Sequence, residues 1–202
     1  MKLTSRARRF RLALIALAPF LLLGAAHAVS AQQGPSLVVL VRHAEKAAQP
    51  VADPALTEAG VARALALADA VAHAAPTAII VSATKRTADT AIPSATKFGV
   101  TPQVISLVGG STAHITAVAD AVRKQSGVVL VIGHSNTIPA IIRALGGPTL
   151  LDICDSTYNL LFILLPARDG LPAMLVVGQY GAEQGAPAAG APMNTCTSGM
   201  AK

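Results

Sequence analysis

Apolar positions along the chain fall into two patterns. Residues 37–41 and 128–132, within LVVLVRHAEK and GVVLVIGHSN, are continuous apolar runs, as expected of strands covered on both faces. Shorter β-branched or apolar runs at 78–81, 103–107, 159–165 and 173–179 predict four more strands. In chain order, an Ala-rich or apolar stretch with helical spacing follows each of the first four strands. Residues 57–72 open with LTEAG, where Thr57 predicts an N-cap. Residues 87–98 contain Pro93, which predicts a kink or an end. Residues 111–125 stop before Gly127, and residues 137–145 carry Pro139 in the first turn, where proline is tolerated. The turn-rich PARDGLP between the last two strands predicts an antiparallel hairpin.

Strands alternating with helices predict a three-layer α/β sandwich with a mainly parallel central sheet and right-handed crossovers. In such sheets ligands sit beyond the carboxyl ends of the strands. Three ends carry residues suited to an anion. The first apolar run delivers Arg42 and His43, and the fourth strand delivers His134 just before a helix N-terminus. The second strand runs into SATKRTADTA, with Arg86 about one turn past Ser82. A lone His after a strand is usually a loop residue, and a lone Arg in a helix is usually solvated. Their joint arrival at one face is what carries meaning, and it predicts that the histidines stand at the rim where apolar strands surface.

Composition changes this picture mainly at the N-terminus. The 202-residue chain is 52% hydrophobic and 3% aromatic with no Trp, so Ala, Val, Leu and Ile must build the core. Lys2, Arg6, Arg8, Arg9 and Arg11 precede an apolar run at 12–23 and then GAAHAVSAQQ, the plan of a secretory signal peptide cut after Ala28 or Ala31. The run is shorter than the roughly 20 residues of a spanning helix, which favours cleavage over a membrane anchor. Losing those five cations takes the net charge from +6 to +1, which removes the case for nucleic-acid binding. The expected organisation is a leader at 1–31, one domain at 32–181 and an Ala/Gly/Pro-rich tail at 182–202, in a protein exported to the periplasm with no stable membrane association. Cys154 and Cys196 form a disulfide or remain two thiols. The few histidines of the exported chain lack metal-ligand spacing, and no cofactor is expected.

Two Arg and two His at one sheet end suit phosphoryl transfer to histidine. A neutral imidazole with one nitrogen held by a hydrogen bond can attack phosphorus with the other. Guanidinium forks remain charged and match phosphoryl oxygens, where transition-state charge accumulates.

On these residues the chain resembles the histidine phosphatase superfamily, the group that includes phosphoglycerate mutases. LVRHAEK is similar to its Arg-His-Gly signature, with Ala44 in place of Gly, and LTEAG to its Leu-Thr-x-x-Gly. SATKRTADTA keeps Ser82, Arg86, Thr90 and Ala91 of a third motif, and VIGHSN resembles the second-histidine motif. The resemblance implies a phosphoglycerate mutase-like fold and a phosphatase acting on a small phosphorylated substrate without metal. In it His43 is the nucleophile, Arg42 and Arg86 clamp the phosphate, and His134 hydrogen-bonds the transferring group. It also implies a carboxylic proton donor. Residues 98–119 contain no Asp or Glu, and Ser135 stands where one branch has Asp, so Glu45 is the candidate, with Asp155 and His114 behind it. The short interval 98–127 leaves no room for the large cap of mutases. A non-catalytic phosphate-binding module and a phosphomutase are the alternatives.

Overall fold

The computed structural model of the chain describes residues 34–182. The expected leader, and the tail from residue 183 on with Cys196, lie outside the described residues. Six strands and four helices alternate in the order β1 (Leu37–Arg42), α1 (Glu58–Ala70), β2 (Ala78–Ser82), α2 (Lys85–Phe98), β3 (Gln103–Ile105), α3 (Gly110–Arg123), β4 (Val128–Gly133), α4 (Thr137–Ala144), β5 (Leu160–Leu165) and β6 (Met174–Gln179). They form one sheet ordered β3-β2-β4-β1-β5-β6. The first four of these strands run parallel, and β5 and β6 close one edge antiparallel. This is the mainly parallel three-layer architecture expected of the alternation.

The continuous apolar runs have the reason their pattern implies. Val38 and Leu40 of β1, with Val129 and Val131 of β4, pack into one cluster with Val118 and Val122 of α3 and Ile138, Ile141 and Ile142 of α4. Val39 and Val41, with Leu130 and Ile132, face the opposite cluster with Leu67 of α1 and Ala91 of α2. Successive residues of a strand point to opposite faces, so a strand with helices on both faces has no polar side. The edge strand β3 is shorter than the run at 103–107 and half-solvated, because it pairs on one side only.

Thr57 caps α1, its Oγ1 accepting the Gly60 N–H at 3.1 Å. Pro93 neither ends nor breaks α2, which continues to Phe98 with Thr87, Thr90, Ala91 and Ser94 buried on one face. The missing N–H costs one helical bond, and the packed face retains the helix. Between β5 and β6, Asp169 (φ 54°) and Gly170 (φ 79°) make the two-residue turn that matches the twist of antiparallel strands. Only four residues, 106–109, join β3 to α3, so no cap is inserted there. Among the described residues no helix is long and apolar enough to cross a membrane. Cys154 is disulfide-bonded.

Candidate active site

Strand register brings the two histidines together. β1 and β4 are neighbours whose last pair is Arg42 with Gly133, so each strand delivers a histidine at its next residue. The His43 N–H donates to the Gly133 carbonyl at 2.9 Å, and the two rings meet edge-on with centroids 5.4 Å apart. On the other side of β4, β2 pairs Val81 with Ile132, which brings the next residue, Ser82, within reach of His134. Arg86 enters from the first turn of α2. Arg42, His43, Arg86 and His134 all line one cleft of about 430 Å³ at the carboxyl end of the parallel strands.

His43 sits at the floor of the cleft rather than its rim, and only 3% of it is exposed. Tyr158 lies beside it, with ring centroids 6.1 Å apart. Its Nδ1 lies 2.8 Å from the Ala44 carbonyl, an acceptor only, so Nδ1 carries the proton and Nε2 keeps its lone pair. Burial, followed by the charges of Arg42, Arg86 and Lys46, pushes its pKa down to about 4 against the opposing pull of the Ala44 carbonyl. The ring is therefore neutral at pH 7.

His134 has the opposite tautomer. Arg86 Nη2 can only donate, and it points at His134 Nδ1 at 3.4 Å. Nε2–H then donates to Ser82 Oγ at 2.7 Å, and Ser82 Oγ donates to Thr87 Oγ1 at 3.2 Å. Burial and Arg86 push the His134 pKa down to about 3. The neutral His134 thus orients Arg86, whereas the resemblance gives it a bond to the transferring group.

Arg42 is fixed by an irregular segment that periodicity does not mark. Its Nη1 donates to the carbonyls of Cys154, Asp155 and Thr157 at 2.7, 3.0 and 3.1 Å. Its guanidinium lies 4.1 Å from the Tyr158 ring centroid, a cation–π geometry. Asp155 Oδ1 is 3.5 Å from Nη2. Arg86 has its own counter-ion, Asp53, whose carboxylate also accepts the Lys85 N–H that opens α2. The N-terminal residues of α3 (Gly110, Ser111) and of α4 (Asn136, Thr137) complete the lining, and helix N-termini favour anions. Among the described residues no group of three or more His, Cys, Asp or Glu is placed to hold a metal ion.

The acid expected at Glu45 is engaged elsewhere. Its carboxylate takes two hydrogen bonds from Arg63 Nε at 2.8 and 2.9 Å and an ion pair with Nη2 at 2.8 Å. Arg63 is buried and also donates from Nη1 to the Tyr180 and Ala182 carbonyls. Glu45 is not among the residues lining the cleft; of those, Asp155 alone carries a carboxylate. His114 is fully buried, with Nδ1 2.9 Å from the Ser106 carbonyl, and does not line the cleft either.

The LTEAG segment has a physical role here. Thr57 N–H donates to the Glu45 carbonyl at 2.9 Å, which presses the start of α1 against the backbone two residues past His43. A Cβ on Gly60 would fall 2.2 Å from the Glu45 carbonyl oxygen. Gly60→Ala must therefore move rigid backbone, and overpacking of this kind costs about 1–3 kcal/mol. A lower melting temperature together with slower turnover is expected; wild-type values of both would show that this contact is soft.

A family model described as the histidine phosphatase superfamily (branch 1) matches residues 38–107, a span that includes Arg42, His43, Gly60, Ser82 and Arg86. Over that span the chain is similar to the histidine phosphatase superfamily. No curated protein matches it. Solved structures share the fold of this chain. A chain from Agrobacterium tumefaciens assigned as a phosphohistidine phosphatase SixA is 24% identical with TM-score 0.53, over 74% of this chain and 99% of that one. A mycobacterial glucosyl-3-phosphoglycerate phosphatase in complex with VO3 is 16% identical with TM-score 0.54, over 73% and 100%. The protein histidine phosphatase SixA with tungstate is 14% identical with TM-score 0.56, over 71% and 96%.

Proposed function

We propose that the protein is a phosphatase that hydrolyses phosphate monoesters through a covalent intermediate on His43, acting in the periplasm once its leader is removed. The observation that carries this reading is the tautomer of His43: Nδ1–H is tied to the Ala44 carbonyl, and Nε2 is free, in a cleft with two arginines. Nε2 attacks phosphorus, the P–N bond forms, and the P–O bond to the leaving alcohol breaks. The ring becomes cationic as it is phosphorylated, and the Ala44 carbonyl accepts a stronger bond from Nδ1–H. Arg42 and Arg86 hold the equatorial oxygens, whose charge grows at the transition state. Water then attacks phosphorus, the P–N bond breaks, and the neutral ring and inorganic phosphate are restored. The neighbours described as a protein histidine phosphatase and a glucosyl-3-phosphoglycerate phosphatase support the reaction class.

Leader-free protein should hydrolyse nitrophenyl phosphate; no release above background would make the cleft a binding module. The leaving alkoxide needs a proton, a nitrophenolate far less, and Asp155 is the carboxyl group in place to supply it. Asp155→Asn should therefore slow alkyl phosphates much more than nitrophenyl phosphate. Glu45→Gln instead leaves Arg63 without its buried counter-charge and should slow both esters alike. The reverse pattern, selective loss in Glu45→Gln, would return the donor role to Glu45.

A further inference from the structure

A second cavity of about 390 Å³ lies along α4, next to the catalytic cleft. Asn136 lines both, so a molecule whose phosphoryl group sits among Arg42, His43 and Arg86 can pass its remaining atoms over Asn136 into the second space. Each cavity falls in the lower part of the range for small-molecule sites, about 300–1,000 Å³.

The chemistry of the two spaces differs. The cleft is dominated by cations, whereas the second cavity holds one cation and one anion, Arg143 and Asp152, with Asn136 and Thr149. Neither Arg143 nor Asp152 has an ion-pair partner among the described residues. Arg143 and the N-cap Asn136 stand seven residues apart, about two helical turns, and line the same cavity. Guanidinium, carboxylate, amide and hydroxyl groups together offer donors and acceptors, the mixture that pairs with several hydroxyls at once. Pro139 and Leu150 add apolar wall, which suits the C–H face of a sugar ring. An apolar leaving group would strip water from Arg143 and Asp152 without replacing it, which is costly.

We infer that the cavity along α4 is a leaving-group subsite that takes the polyol portion, of sugar size, of a phosphate monoester. This rests on the phosphatase reading and names the class of ester that the site selects. Discrimination arises because the subsite binds the alcohol while the cleft holds the phosphoryl group, so it appears as a preference for a hexose phosphate over a short alkyl phosphate with a similar alkoxide leaving group.

The test compares kcat/KM for glucose 6-phosphate and ethyl phosphate in the wild type, Asp152→Asn and Ala140→Trp, the last placing an indole in the cavity. The wild type should prefer the hexose phosphate by about tenfold or more, as expected for a hydrogen bond to a charged group. Both variants should lose most of that preference. Asp152 is exposed, so its variant tests the subsite even if Ala140→Trp fails to fold. A wild-type ratio near one, or a ratio unchanged in Asp152→Asn and in folded Ala140→Trp, would overturn the subsite while leaving the phosphatase reading intact. Absence of turnover of every ester by the wild type would overturn that reading, and the subsite with it.

Discussion

Replacing His43 with alanine should reduce turnover of every phosphate ester to background, a loss on the order of a million-fold if His43 is the covalent nucleophile. The remaining arginines would still bind phosphate, so the variant should keep affinity for inorganic phosphate while losing catalysis. The same assignment fixes a pH dependence. Only the neutral ring can attack, and burial holds its pKa at about 4 instead of 6.5. In kcat/KM for nitrophenyl phosphate, which reports groups of the free enzyme, no loss from His43 protonation should therefore appear between pH 7 and 5, and that loss should set in only near pH 4. A variant with near-normal turnover, or a wild-type kcat/KM already half lost at pH 6.5, would contradict this role.

The second large effect is expected at Arg86. Its guanidinium is placed by three groups, the Asp53 carboxylate, His134 Nδ1 and the first turn of α2. Held in this way, it presents donors to a phosphoryl oxygen with little reorganisation. Loss of one such donor costs about 100- to 1,000-fold in turnover, and Arg86→Ala should show that loss in kcat. Arg86→Lys should recover little, because a single ammonium cannot both meet His134 and reproduce the planar fork. An unchanged kcat in Arg86→Ala would leave the residue a surface cation paired with Asp53. Ser82→Ala offers a milder check, since it removes the hydroxyl that accepts the His134 Nε2–H and should affect turnover less than Arg86→Ala.

What the sequence made legible follows from local physics. The continuous apolar runs of β1 and β4 have the pattern of strands with helices on both faces, and the residues after them had to emerge at the same end once the strands were parallel. The cap at Thr57 and the Asp169-Gly170 turn are similarly local. Pro93 was misleading because propensity describes an isolated helix, whereas the buried face of α2 outweighs one missing bond. His43 was expected at the rim and lies at the floor, since Tyr158 and His134 pack beside it from distant parts of the chain. Glu45 shows the same limit more sharply. Two residues from His43, its carboxylate still had two places to go, and the choice depends on where α1 brings Arg63. The carbonyls of residues 154, 155 and 157 that hold Arg42 carry no side-chain signal at all.

The most direct measurement is to trap the phosphoenzyme. Leader-free protein turning over a labelled phosphate ester is quenched within milliseconds in base, digested, and the modified residue is located by mass spectrometry. Phosphate on Nε2 of His43, stable in base and lost in acid, absent from His43→Ala and formed at least as fast as steady-state turnover, is the predicted result. Turnover without any such label, or a label on another side chain, would contradict covalent catalysis by His43.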